Sequence, residues 1–493
     1  MTDQPDMIPE TSMTGERSPS FFIDGVWSPD GAEAWFTVSN PATEQALAQV
    51  ATAGTAIVDR AVQAARRAFP AWRDLGPHKR ATLLQALARV VDERRDAIAR
   101  ILTAEQGKPL DEARGEVSKV ARTFEFYAGE AVRVLGQTIP NEEKGFLSLV
   151  EKEPIGVAAA IAPWNYPVEL IGWKLGAALA AGCTLVIKPS EYTPLSAVAL
   201  IECVGLAGFP AGVVNLIQGA GPTGAALVSH PDIDKIAFTG SVSVGEDIFR
   251  TMGGIKSVSL ELGGNCPMVV GASADVEAAV AGALRRGFRN MGQICIAVNR
   301  VYVHRSLYER FLAGLVEGAG RLSIANGLER PSADLGPMTN IDGIRKVERH
   351  VADAREKGAR LLCGGSRPDG FSQGFFFEPT VFADCTPDTL VMSEETFGPV
   401  LGVAPFDTLD EVIAEANAGP YGLAAYVYAR DVGEIFKLTR ALCFGSIAVN
   451  NVDAGIMNAP YGGRKRSGIG YEHGREGMEG YLALKHVRLR HGA

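Results

Sequence analysis

Between residues 155 and 262 the chain repeats one pattern: a short, unbroken apolar run, then a longer run with helical spacing. The β-like runs are 155–162, 184–188, 213–218, 235–238 and 257–262, separated by helical runs at 168–181, 195–206, 224–229 and 244–252. A strand with one wet face alternates apolar and polar residues, whereas a strand apolar throughout is covered on both faces. Continuous apolar strands alternating with helices therefore predict a parallel sheet between helix layers, a doubly wound α/β fold. Ligands in such folds sit beyond the carboxyl ends of the strands. Three polar stretches fall there: PWN after the first run, KPSE at the end of the second, TGS after the fourth.

The flanking sequence extends this plan. Residues 1–20 are polar, contain no apolar run and read as a disordered tail, not a signal peptide. Short strands and turns follow to about residue 50, then three amphipathic helices. The first, 57–69, carries Val58, Val62, Ala65 and Phe69 on one stripe, with Thr55 as its N-cap. The second carries Leu83, Leu84, Leu87, Val91, Ile98 and Leu102 and is stopped by Gly107 and Pro109. The third runs from 110 to about 135. FLSLVEKE (146–153) alternates and reads as an extended arm. A second alternation of strands and helices runs from Gly264 to about 449, a second α/β unit reached through SLELGG. The C-terminal YLALKHVRLR (481–490) suits pairing with the arm or with a neighbouring subunit's sheet edge.

Composition narrows the partners. With 493 residues, 46% apolar and 21% charged, the chain is globular and long enough for more than one domain. A net charge of −9 argues against nucleic acid or an anionic membrane as the main partner. The one basic cluster, Arg464, Lys465 and Arg466, lies in a glycine-rich loop and reads as a solvated turn. Seven cysteines without paired spacing suit a reducing compartment, with the cytoplasm as the default. No CxxC or Cys/His cluster has metal-ligand spacing, and no apolar run reaches the roughly eighteen residues of a membrane span.

One cysteine stands apart. Cys295 lies in FRNMGQICIAVNR (288–300), between an alanine-rich helical run and a β-like run, where catalytic groups are commonly displayed. Alone it reads as a small buried hydrophobe, as most free cysteines are. Three other stretches change that reading: PWNYP (163–167), SLELGG (259–264) and EETFGPV (394–400). Together these motifs resemble the aldehyde dehydrogenase superfamily, from about residue 21 to 487, and the loop PYGGRKRSGIG (460–470) also fits.

The resemblance implies roles for particular residues. Cys295 attacks the aldehyde, Asn165 and the Cys295 backbone N–H hold the oxyanion, and Glu261 activates water to hydrolyse the thioester. The implied cofactor is NAD, with NADP left open, in a Rossmann-like domain. Lys188 and Glu191 match positions on the adenosine ribose, where a carboxylate repels a 2′-phosphate. Trp164, Gly240 and Ser241 match the pyrophosphate site at a helix N-terminus, and Gly245 lets that helix lie close to the ligand. Glu395 and Phe397 match the nicotinamide ribose and ring positions, although a core aromatic is a rival reading for Phe397.

The implied parts are a cofactor domain (21–139 and 155–262), a second α/β catalytic domain (263–478) and a small β oligomerisation arm (140–154 and 479–493). A homodimer or homotetramer follows from the same resemblance. FRN and LGGN resemble the succinate-semialdehyde dehydrogenase branch, whose substrate-binding arginine six residues before the nucleophile is matched by Arg289. The other two parts of that carboxylate clamp are replaced, by Trp173 and Gly455. Trp173 and Tyr166, with Ile294, Ile296 and Met457, suggest a medium-sized apolar or aromatic aldehyde. Arg289 then either pairs with a distal carboxylate or bridges to an acidic neighbour. Succinate-semialdehyde oxidation and a non-catalytic relative stand as alternatives. Glu261 argues against a CoA-acylating one.

Overall fold

The five apolar runs form five parallel neighbours in a sheet, in the order Ser257–Glu261, Lys235–Thr239, Val157–Ile161, Thr184–Lys188 and Val214–Leu216. The computed structural model describes residues 17, 18 and 20–491. Every residue of Val157–Ile161 is buried, and the period of two decides what each meets. Val157, Ala159 and Ile161 join the core under the Thr55–Asp74, Gly221–Ser229 and Val242–Thr251 helices. Ala158 and Ala160 join the core under the Pro167–Ala181 and Leu195–Leu206 helices. Antiparallel strands close both edges: Phe21–Ile23 and Val26–Ser28 on one side, Gly468–Ile469 on the other.

A second sheet has seven strands in the order Arg360–Cys363, Thr380–Ala383, Val400–Phe406, Val298–His304, Cys266–Val270, Ala424–Tyr428 and Ser446–Val449. All its pairings are parallel except that of Arg360–Cys363. The chain passes from the first sheet at Glu261 to the second at Cys266. A three-stranded sheet pairs Leu482–Arg490 with Phe146–Pro154, which in turn pairs with Gln137–Ile139. The C-terminal strand therefore takes the intramolecular one of its two expected partners.

Several expectations are corrected. Thr55 is the first helical residue and not the N-cap. The cap is Gly54, on whose Cα face the flexible Glu33 carboxylate rests. The single second helix is two, Pro77–Glu93 and Arg95–Gln106, broken at Arg94. The spacing of Leu84, Leu87, Val91, Ile98 and Leu102 keeps its rhythm across the break, so periodicity could not show it. The third helix ends at Ala131. Residues 1–16 and 19 of the expected tail lie outside the described residues. Of the remainder, Ser18 N–H donates to the Gln49 carbonyl (3.0 Å) and Ser20 is buried, so the ordered chain starts before residue 21. Residues 468–479, expected with the second unit up to 478, return to the first: Gly468–Ile469 pairs with Ser257–Glu261 and the Gly474–Glu479 helix packs on Pro167–Ala181.

No helix among the described residues is long and apolar enough to cross a membrane. The two units are keyed together by backbone contact. A Cβ on Gly336 would lie 1.9 Å from the carbonyl oxygen of Gly107, the left-handed residue ending Arg95–Gln106. Gly336→Ala is therefore expected to cost about 1–3 kcal/mol by overpacking, read as a lower denaturant midpoint in equilibrium unfolding.

Candidate active site

The turn that carries Cys295 is built from unusual backbone. The Val276–Phe288 helix ends at Arg289, and Asn290, Met291 and Gly292 follow with φ of +50°, +57° and +69°. Three successive left-handed residues reverse the chain sharply, at a steric cost for the two that are not glycine. Gly292 admits no side chain, since a Cβ would lie 2.2 Å from the Gly398 carbonyl. Cys295 Sγ lies 3.1 Å from the Tyr461 hydroxyl. Burial pushes the thiol up to about 12, while a hydrogen bond from Tyr461 favours the thiolate. The Cys266 thiol donates to the Cys295 carbonyl at 3.5 Å, so these two cysteines do approach.

Asn165 ends the connection from Val157–Ile161 to the Pro167–Ala181 helix and is buried. Its side-chain N–H donates to the Gln293 carbonyl (3.0 Å), tying it to the cysteine turn, and its side-chain oxygen has no partner. Glu261 closes its strand in register with Thr239. It is 2% exposed, and neither carboxylate oxygen has a hydrogen-bond partner. An orphaned carboxylate there is costly as an anion. Burial, and then the charge of Glu472, push it well above the usual carboxylate range, against the opposing effect of Lys174. Lys174 Nζ lies 2.7 Å from Glu472 and donates to the Thr239 hydroxyl at 2.5 Å.

Two cavities adjoin over the carboxyl ends of the first sheet and share Pro163, Thr239 and Gly240. The inner one, about 330 Å³, is lined by Trp164, Asn165, Cys295, Lys346, Glu395 and Phe397, among others. Trp164 meets Phe397 edge to face at 5.3 Å, and Glu395 accepts the Gly264 N–H at 2.9 Å. The outer cavity, about 390 Å³, carries Lys188, Glu191 and Asp247. Lys188 Nζ lies 3.9 Å from the Glu191 carboxylate. Ser241 caps the Val242–Thr251 helix that opens onto both cavities. Gly245 is on that helix, where a Cβ would lie 2.5 Å from Leu262 Cδ2, so its smallness lets the helix pack against the crossover. Two joined lobes, a helix N-terminus between them and an edge-to-face pair of rings in the inner lobe fit a dinucleotide.

The residues singled out for the substrate lie outside the linings of these two cavities. Trp173 packs edge-on against His473 (4.0 Å) and Tyr461 (5.6 Å), which links it to Cys295. Burial pushes His473 down to about 3, so it is neutral. The Tyr166 hydroxyl donates to Glu112 at 3.0 Å, and Arg289 Nε donates to the same oxygen at 3.0 Å. Of the two readings of Arg289, the acidic neighbour is present. Ile294 and Ile296 are buried beside the cysteine, and Met457 is half-buried. Sequence reading missed Tyr461, Lys174, Glu472, Lys346 and Glu112. Lys174, one of two charged residues in a largely apolar helix, had a visible signal, and Tyr461 lies in the loop 460–470 already singled out. Glu472 and Glu112 had none.

A two-lobed dinucleotide trough leading to a buried thiol and a neighbouring buried carboxylate defines a two-unit oxidoreductase. The sequence matches the aldehyde dehydrogenase family over residues 27–487. It is 45% identical to a 3-sulfolactaldehyde dehydrogenase of Pseudomonas putida, covering 95% of this chain and 96% of that one. Identity to the NADP(+) succinate-semialdehyde dehydrogenase of Escherichia coli (strain K12) is 44%, covering 94% and 96%. The fold superposes on a Staphylococcus aureus betaine aldehyde dehydrogenase in complex with NAD+ with a TM-score of 0.94, at 35% identity and covering 97% and 95%. The chain belongs to the aldehyde dehydrogenase family, and it is an NAD(P)-dependent oxidoreductase acting on aldehydes.

The Tyr461 contact gives a direct test of the thiol's environment. A hydrogen bond to a charged sulfur contributes about 1.5 kcal/mol, so Tyr461→Phe should slow alkylation of Cys295 by iodoacetamide about tenfold at fixed neutral pH. Mass spectrometry of the alkylated peptide reads this rate.

Proposed function

We propose that the protein oxidises a medium-sized apolar or aromatic aldehyde to its acid through a thioester on Cys295. The observation that carries the substrate class is the engagement of Arg289 by Glu112, which occupies the arginine with an acidic neighbour. Beside it, Trp173, Tyr461 and His473 form an aromatic wall leading to the thiol.

In this reading Cys295, as thiolate, adds to the carbonyl carbon, with Tyr461 donating to the sulfur. The adduct's oxygen is held by the free side-chain N–H of Asn165 and the backbone N–H of Cys295. The cofactor, when bound, supplies the acceptor for the hydride. Glu261 takes a proton from the water that attacks the thioester, the carbon–sulfur bond breaks, and the acid leaves with the thiol restored. Lys174 and Glu472 lie behind Glu261 and bias its ionisation. Lys188, Glu191, Trp164, Gly240, Ser241, Glu395 and Phe397 would hold the dinucleotide. Glu191 and Asp247 leave Lys188 the one cation in the outer cavity's lining, which favours NAD over a 2′-phosphate.

Residues 21–139 and 155–262 serve the cofactor, together with the returning 468–479. Residues 263–467 carry the nucleophile. The arm strands would pair subunits in a homodimer or homotetramer, through a free edge that exposes Leu484 and Leu489. The cytoplasm is the proposed compartment.

A second reading is favoured by the relatives. The 3-sulfolactaldehyde, succinate-semialdehyde and glutarate-semialdehyde dehydrogenases act on aldehydes with a distal anion, and they are 43–45% identical to this chain. NAD reduction with benzaldehyde and succinate semialdehyde separates the two, in the native protein and in Glu112→Ala. Benzaldehyde should be the better substrate of the native enzyme, and Glu112→Ala should lower KM for succinate semialdehyde about tenfold, the worth of one released charge contact. Preference for succinate semialdehyde in the native enzyme, with loss of that activity in Glu112→Ala, would establish the second reading.

The base assignment has its own signature. Glu261 must be ionised to act, and its site raises its pKa. Deacylation is therefore lost as pH falls through that raised value, on the alkaline side of the ordinary Glu range. Glu261→Gln should cut turnover by roughly 10²–10⁴ and leave the acyl-enzyme visible by mass.

A further inference from the structure

A second buried cation beside Asn165 has no part in the chemistry described so far. Lys108 follows the turn at Gly107, its side chain is wholly inaccessible, and it forms an ion pair with Glu116. Its ammonium also donates to the backbone carbonyl of Asn165 at 2.9 Å and sits 3.7 Å from the centre of the Tyr166 ring. Glu116 in turn accepts the backbone N–H groups of Val168 and Glu169, both at 3.1 Å, in the first turn of Pro167–Ala181. One ion pair thus holds both ends of the Asn165–Glu169 turn. The same Asn165 carbonyl takes a second donor, Asn290 Nδ2 at 3.0 Å, from the left-handed turn before Cys295. Gln106 bridges Asn290 and Thr339, and Gln293 accepts the Thr339 N–H, so every member of this network is buried and tied to another.

We infer that Lys108 is a positioning residue: with Asn290 it clamps the Asn165 carbonyl and so fixes the Asn165 side chain against the Cys295 turn. The inference rests on the roles given above to Asn165 and Cys295. Stability alone is a poor account of the pair, because a buried ion pair is often replaceable by apolar residues without loss. Geometry is a better one. An oxyanion donor works only when held to within about half an ångström by its supporting groups. Asn165 has one side-chain N–H committed to Gln293, so its orientation is set by where its own peptide is pinned.

The test compares the native enzyme with Lys108→Met/Glu116→Gln, which removes both charges together, and with Asn290→Gly, which suits the left-handed backbone and removes the second donor. Three quantities are read: kcat and KM with NAD and benzaldehyde, the rate of Cys295 alkylation by iodoacetamide, and the thermal midpoint. Alkylation needs the thiolate but no oxyanion site. The double variant should lose about 10²-fold in kcat, the cost of misplacing a reacting group by about 1 Å, with KM and alkylation within about threefold. Asn290→Gly should lose kcat in the same selective way and to a smaller degree.

A kcat within about threefold of native in a folded double variant would overturn the inference, as would a loss matched by equal losses of alkylation and thermal midpoint. If the double variant does not fold, Asn290→Gly decides, and an unchanged kcat there overturns the clamp. Native enzyme that stays active after full alkylation of Cys295 would instead refute the nucleophile assignment. That outcome is distinct from any of the above.

Discussion

The structure depends on one close backbone approach, where the chain crosses between its sheets. Between Glu261 and Cys266 only Leu262, Gly263, Gly264 and Asn265 are available, and neighbouring groups close on the two glycines. A Cβ on Gly264 would lie 2.6 Å from the Cys295 carbonyl, and one on Gly263 would lie 2.4 Å from a Glu395 oxygen. The crossover is further held by Ser467, whose carbonyl accepts the Leu262 N–H and whose hydroxyl donates to the Gly263 carbonyl. Thiol turn and crossover thereby meet main chain to main chain, and the EETFGPV segment closes on the crossover through the Glu395 carboxylate. The double glycine of SLELGG is a packing requirement before it is anything else.

The electrostatics follow from how dry this junction is. Burial alone moves Cys295 and Glu261 in the same direction, toward their neutral forms, because each would be an anion with little solvation. Two buried lysines stand near them with different tasks. Lys174 is paired with Glu472 beside Glu261, so one like and one opposite charge act on that carboxylate in addition to the larger effect of burial. Lys108 is paired with Glu116 and directed at a peptide carbonyl, so its charge orients backbone and leaves the titrating groups alone.

What the sequence could disclose was what repeats or what needs a special residue. The five parallel strands were legible because burial on both faces forces unbroken apolar runs, and their observed spans differ from the expected ones by at most two residues at each end. Chemistry-bearing motifs were legible as strings, and the fold brings Asn165 and Cys295 to one cavity. Pairwise charge was not legible. Glu112 and Arg289 are separated by 177 positions, and neither helix carries a mark that the other exists. The break at Arg94 was hidden because the apolar stripe continues through it. Residues 468–479 were misplaced because an edge strand of two residues has no pattern to detect.

Substrate choice and oxyanion geometry are not independent in this arrangement. Glu112 holds Arg289 and the Tyr166 hydroxyl with the same oxygen, and the Tyr166 ring lies under the Lys108 ammonium. Tyr166 is also the residue whose peptide bond includes the Asn165 carbonyl that Lys108 and Asn290 hold. A change at Arg289 or Glu112 that admits an anionic substrate therefore releases one restraint on Tyr166, and through it loosens the clamp on Asn165.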